Sequence, residues 1–265
     1  MKDLIYRQKG KDGYYKIWHT SEKNIFIFVH LGSGSIVLRD ETHPMTKGTL
    51  AFIGEEKYHY TFPSDTENYV RSKLMIASSD VERLLEAINA PSEIRESFSS
   101  DSANVTAVSG ETYEIVTGIF ERLSRIEEGD RYQASEVFSA AVQLMLIAAK
   151  NETDKVKTIP DHLQLAIEYI NRHISEEIGI EDISAACFMS KYHLCHTFKK
   201  KLGITVMEYV LQTRITMAKE LLKEGKYSVT EVSVASGFCS PSYFSRVFKE
   251  YTGVSPIKFK NGQMR

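Results

Sequence analysis

The sequence predicts an α+β chain in two parts. An N-terminal β-barrel is followed by a helical hairpin, and an all-α C-terminal part then carries a short helix pair twice, around one long helix. Three observations predict this. Between residues 14 and 76, short runs rich in aromatic and β-branched residues alternate with turn signals. From residue 80 to 150 the apolar residues change to helical spacing. In the last quarter, one segment repeats itself at an offset of 50 residues.

A chain of 265 residues, 42% of them hydrophobic, is long enough for two domains of about 100–150 residues each. The expected division is 1–150, a linker at 151–160, and 161–265. No run approaches the roughly 18 apolar residues of a membrane-crossing helix, and the first residues lack an apolar leader. A cytoplasmic location away from membranes is the expectation. Cys187, Cys195 and Cys239 are odd in number and lack paired spacing, which argues against a disulfide framework or a zinc site. The net charge of -2 hides an asymmetry: residues 1–190 carry 20 basic and 30 acidic side chains, residues 191–265 carry 13 and 5. So basic an end on an acidic chain fits a polyanion partner.

The expected strands are YYKIW, NIFIFVHL, SIVLR, TLAFI, YHYTF and YVRSKLMIA, separated by turns at Gly32-Ser33-Gly34-Ser35 and Thr46-Lys47-Gly48. Short strands at this spacing predict a small barrel over about 10–78. Helices follow at about 80–90 and 111–150. The second stretch is broken near EEGDR at 127–131, giving a hairpin with Val116, Ile119, Phe120 and Leu123 on one arm and Ala141, Leu144, Met145 and Ala148 on the other.

The repeat is the most informative feature. SKYHLCHTFKKKLGIT, from Ser190, overlays SPSYFSRVFKEYTGVS, from Ser240, while Ile183-Ser184 overlays Val232-Ser233 at an offset of 49. The second copy therefore has one extra residue near Gly237-Phe238-Cys239. Ser190 and Ser240 are expected N-caps, and Gly203 and Gly253 expected left-handed stops. Leu194, Phe198 and Leu202, and likewise Phe244, Val247 and Phe248, mark the buried stripes. Tyr192, Cys195, His196 and Lys199 are left on the far face of one helix, and Ser242, Ser245, Arg246 and Lys249 on that of the other.

A short helix, a tight turn and a second helix with a polar, basic outer face describe a helix-turn-helix unit, whose second helix lies in the DNA major groove. Arg246 suits a bidentate contact with guanine, and Lys199 or Lys249 suits phosphate. Between the units, Thr205 to Gly225 reads as one helix of about 19 residues, roughly 28 Å long against the ~34 Å between successive major-groove turns. One chain could thus read two adjacent grooves of double-stranded DNA.

The residues from Pro160 to Gly262 resemble the C-terminal DNA-binding domain of the AraC/XylS family of bacterial transcription regulators. Gly237-Phe238, Ser242-Tyr243-Phe244, Phe248-Lys249, Gly253 and Pro256 carry the resemblance. Ser184 and Ser233 depart from the family's usual small Ala, and Phe259-Lys260 from its Tyr-Arg ending. Cys195 and His196 stand where stronger hydrogen-bonding residues often sit, which leaves Arg246 as the main candidate for base reading. The resemblance implies an N-terminal cupin-like barrel, and KGTLAFIGEEKYHYTF is similar to a cupin stretch, departing at Thr49 and Gly54. It also implies a small-molecule effector in the barrel, a sugar being one candidate, with dimerisation through the hairpin and contact with RNA polymerase. An activator of metabolic genes is the expected role.

Trp18, His19 and His59 are the candidate effector-lining residues. No catalytic constellation, metal site or cofactor is expected, since only His19 with Glu22, and His59, stand at suggestive places. Two alternatives stay open: a regulator controlled by a protein partner, and a metal-dependent cupin enzyme fused to a DNA-binding domain.

Overall fold

The computed structural model describes residues 4–9, 19–38, 42–64, 67–126, 133–150 and 161–262. The expected strand YYKIW, Trp18, the break at 127–131 and the linker at 151–160 lie outside them. The chain divides into two compact units, the first holding all the strands and four helices, the second the remaining helices.

The first unit contains β1 (Leu4–Lys9), β2 (Asn24–Leu31), β3 (Ser33–Leu38), β4 (Thr42–Thr46), β5 (Thr49–Ile53), β6 (His59–Pro63), β7 (Val70–Ile76) and β8 (Ala103–Ala107). They form a five-stranded sheet in the order β1-β7-β2-β5-β8 and a three-stranded sheet in the order β4-β3-β6. All pairings are antiparallel. The unbroken apolar run of β2 follows from burial on both faces. Ile25, Ile27 and Val29 meet Ile36, Leu38 and Met45 of the other sheet, while Phe26 and Phe28 belong to the core shared with the helices.

Those helices are α1 (Ser78–Ala87), α2 (Ser92–Ser97), α3 (Gly110–Ser124) and α4 (Gln133–Lys150). The two long ones bury the residues their periodicity marked: Val116, Ile119, Phe120 and Leu123 join Ala141, Leu144, Met145 and Ala148 in one core. Arg122 near the end of α3 meets Glu136 near the start of α4 at 3.2 Å, as a hairpin requires. Three strands and one helix go beyond the sequence reading. β4 contains Pro44, which argues against a central strand, and it lies at a sheet edge where a missing N–H is tolerated. The edge strands β1 and β8 are short and half polar, and β1 carries a bulge between Ile5 and Gln8 with Arg7 at φ 48°.

The second unit contains α5 (Asp161–Arg172), α6 (Ile180–Ala186), α7 (Lys191–Leu202), α8 (Val206–Glu224), α9 (Val229–Ala235), α10 (Pro241–Thr252) and α11 (Pro256–Lys260). α6 with α7, and α9 with α10, are the two copies of the repeat. Caps fix their limits: Ser190 and Ser240 accept from the N–H groups of His193 and Tyr243, and Gly203 and Gly253 end the helices at φ 77° and 78°. The long α8 has a reciprocal box of Thr205 and Glu208 at its start. Its second half, through Ile215, Ala218 and Leu222, packs with Val232, Phe244, Phe248 and Phe259.

Candidate nucleic-acid interface and effector site

Each outer helix of the second unit has one buried stripe and one open face. In α7, Leu194, Phe198 and Leu202 are fully buried, with the Phe198 ring 5.5 Å from that of Tyr209. Tyr192, Cys195, His196 and Lys199 are exposed, Tyr192 at 82%. Tyr192 and His196, one turn apart, lie near-parallel at 6.3 Å. In α10, Phe244, Val247 and Phe248 are buried, and Ser242, Arg246 and Lys249 are exposed. Ser245 is half-buried, so its hydroxyl has less reach than the sequence implied.

The Arg246 guanidinium lies 5.4 Å from the centre of the Tyr243 ring, which braces the side chain without neutralising it. Tyr243, itself exposed, was missed as a candidate because its place beside Phe244 reads as part of an aromatic core pair. Among the described residues no ion pair engages Lys199, Arg246 or Lys249, whereas Lys191 is bonded to Glu181. Lys199, Lys200 and Lys201 crowd the end of α7, where the helix dipole favours cations. Uncompensated cations on both outer faces are what a polyphosphate surface requires.

One further contact links the segment between α5 and α6 to the second copy. Arg214 of α8 donates from Nε to the carbonyl of Ile174 at 3.0 Å and from Nη2 to that of Glu176 at 2.6 Å. The same side chain lies under the turn of the second copy: a Cβ at Gly237, which has φ +78°, would stand 2.9 Å from Arg214 Nε and 2.4 Å from the Ile174 oxygen. Only glycine fits that approach.

In the first unit, His19 and His59 are brought together. They exchange backbone hydrogen bonds of 3.1 and 3.0 Å, and their rings lie 4.6 Å apart. The buried His59 donates from Nδ1 to the Lys57 carbonyl at 2.9 Å, since a carbonyl only accepts, and Nε2 is left as an acceptor. Burial, then the charges of His19, Lys73 and Arg71, lower its pKa to about 3. His30, buried on the other side of the sheet and 2.7 Å from the Ser72 hydroxyl, is lowered to about 4 by burial and Arg7. His43 is the second residue of β4. Among the described residues no group of three or more His, Cys, Asp or Glu side chains could hold a metal.

Sequence patterning also missed two cations on this sheet. Strand register places Arg71 beside Val29 and Lys73 beside Ile27, hence on the face turned toward the second sheet. The sequence names YVRSKLMIA as a strand, but which of its faces turns inward depends on pairing with β2. A separate cleft of about 640 Å³ lies where α1, the start of α4 and the end of β7 meet, with an apolar lining that includes Met75, Leu84 and Phe138. Arg83 stands at its rim, 5.9 Å from the Phe138 ring. No helix among the described residues is long and apolar enough to cross a membrane.

Residues 2–142 match the AraC-like ligand binding domain and residues 183–262 a helix-turn-helix domain. The transcriptional activator RhaS of Escherichia coli O1:K1 is 22% identical over 248 residues, 92% of this chain and 87% of RhaS. AdaA of Bacillus subtilis strain 168, a bifunctional transcriptional activator and DNA repair enzyme, is 34% identical over 98 residues. That match covers 37% of this chain and less than half of AdaA, 46%. The solved structure of ToxT from Vibrio cholerae aligns over 98% of both chains at 18% identity, with a TM-score of 0.41. With one matched domain spanning more than half its length and the other covering the repeat, the chain belongs to the AraC family of transcription regulators.

Proposed function

We infer that the chain is an effector-responsive activator that reads DNA with α7 and α10. The observation that carries this reading is the pair of outer helix faces on a repeated, capped scaffold, each exposing cations without carboxylate partners. Arg246 is assigned to base edges, and Lys199 and Lys249 to phosphates. Tyr192, Cys195, His196, Ser242 and Ser245 complete the two faces at the sequence positions facing the groove. An effector, with a sugar as one candidate, enters the space between the two sheets beside His19 and His59 and biases the DNA-bound form. The hairpin of α3 and α4, where Ile115 and Leu146 are exposed, joins two copies on paired sites, and RNA polymerase is the recruited partner at metabolic promoters.

Footprinting with the purified chain tests this. Genomic fragments captured by the protein should share a motif with two protected stretches about one helical turn apart. Affinity should fall steeply as salt rises. Equal binding to every fragment, or protection of a single groove only, would reject the two-reader assignment.

A further inference from the structure

The cleft of about 640 Å³ where β7, α1 and α4 meet lies within the first unit, and neither His19 nor His59 lines it. Its size is that of a small-molecule site. One face of α4 builds its wall: Ala134, Val137, Phe138 and Ala141 follow each other at three- and four-residue spacing. The two alanines leave room that larger side chains would fill. Met75 and Leu84 complete the apolar lining. Leu84 and Ala141 are buried, whereas Met75, Val137 and Phe138 are only half-buried and keep part of their apolar surface in water. An apolar body seated here would remove that surface from water, a gain that grows with the area covered.

The polar edge of the cleft is set by Arg83. Its Nη1 donates to Asp80 Oδ1 at 3.4 Å, between two exposed side chains, and a pair of that kind contributes little. The guanidinium carbon lies 5.9 Å from the centre of the Phe138 ring, so the charge is held beside the apolar lining. Arg83 makes no other hydrogen bond or ion pair among the described residues. Nε and Nη2, the neighbouring donors of its other edge, are therefore available. That edge is the fork that takes both oxygens of one carboxylate. Lys23 is the second basic residue of the lining and Asp80 its one acid, which leaves the lining with a net positive charge.

We propose that this cleft binds a small amphipathic carboxylate, with its apolar body on Leu84, Val137 and Phe138 and its acid group on the Nε and Nη2 edge of Arg83. The site is separate from the space beside His19 and His59 and does not rest on the effector reading made there. A ligand here touches α1 and the start of α4 together, and so ties the second arm of the hairpin to the rest of the unit. A neutral apolar molecule gains the lining without the fork, and a bare anion gains the fork without the lining. The two halves of the site can thus be probed one at a time.

The test is calorimetry of the full chain with octanoate and 3-phenylpropanoate, set against 1-octanol and acetate. At least one of the two acids should bind once per chain, tenfold or more tightly than 1-octanol or acetate, and should raise the thermal midpoint. Arg83→Gln should weaken that acid at least tenfold and leave 1-octanol unchanged, while Arg83→Lys should recover only part of the loss, since an ammonium lacks the fork. Ala134 is exposed, so Ala134→Trp should fill the cleft without disturbing the fold, and it should abolish binding of acid and alcohol alike. The thermal midpoint of each variant without ligand shows that the fold is kept. Acid binding that is unchanged in Arg83→Gln or in Ala134→Trp would overturn the proposal, as would 1-octanol binding as tightly as the acids. Silence from both acids would overturn it too. Each of these failures leaves the effector reading beside His19 and His59 standing.

Discussion

Phe188 and Gly237 occupy the same point of the repeated turn, at φ 57° and 78°. The bond that follows each is the same, from Met189 N–H to the Ser184 carbonyl and from Phe238 N–H to the Ser233 carbonyl, both 3.0 Å. Glycine adopts that conformation freely, whereas an L side chain is disfavoured there by roughly 1–2 kcal/mol. Phe188 is also 84% exposed, so packing offsets little of that strain. Phe188→Gly should therefore raise stability by up to about 1 kcal/mol, after glycine's greater freedom in the unfolded chain is subtracted. Urea denaturation of the full chain reads this, and a loss of stability would show that the ring has a packing partner. Gly237→Ala should destabilise, because its Cβ would stand 2.4 Å from the Ile174 oxygen.

Arg246→Ala should weaken binding to the selected operator by about 1–3 kcal/mol and relax preference at one base pair. Tyr243→Ala, which removes the ring 5.4 Å from the guanidinium, should do the same more weakly, by about 0.5–1 kcal/mol. Competition binding against operators substituted at each position separates these effects. Equal losses on all sequences would reassign Arg246 to phosphate.

Lys199→Ala and Lys249→Ala should act differently. Neither side chain has an ion-pair partner among the described residues, so each is available to displace a counterion from DNA. Affinity should fall almost uniformly across sequences, and the slope of log affinity against log salt should flatten by about 1 per lysine. A slope that stays the same would place these lysines off the DNA.

The repeat was legible because its signals are local: Ser190 and Ser240 cap within three residues, and Gly203 and Gly253 stop at the next turn. The buried stripes of α7 and α10 were legible for the same reason, being fixed by helical period. The first unit was harder to read. Which face of β7 turns inward depends on pairing with β2, so the sequence alone gives Arg71 and Lys73 no side of the sheet. Pro44 concealed β4, and only its edge position explains how a strand tolerates it. His19 and His59, 40 residues apart, meet through a backbone bridge that no spacing rule predicts.

Acid should destabilise the first unit through two histidines. The folded-state pKa values, about 3 for His59 and about 4 for His30, both lie below the ordinary 6.5. The unfolded chain therefore binds more protons across that window, so stability is full above about pH 6.5 and falls as pH drops toward 4. His59 contributes a slope of up to about 1.4 kcal/mol per pH unit. Lys73 acts with the same sign at higher pH: with its pKa at about 7 against the ordinary 10.5, stability should rise as pH increases from 7 toward 10. Thermal midpoints of wild type, His59→Gln and Lys73→Met across pH 4.5–9.5 check both windows. A wild-type alkaline rise that persists in Lys73→Met would assign it to another group.

Arg214 joins the two halves of the DNA-binding unit through contacts that a lysine cannot reproduce. Its fork satisfies the carbonyls of Ile174 and Glu176, ahead of the first copy, while its flat face lies under the turn at Gly237 in the second. A single ammonium reaches one carbonyl and leaves the other without its charged donor. Arg214→Lys should cost about 1–3 kcal/mol in urea denaturation. It should also loosen the fixed geometry between α7 and α10, so that an operator carrying both half-sites loses more affinity than either half-site alone. If binding to the double site falls only as much as binding to the single ones, Arg214 stabilises the fold without setting the spacing of the two readers.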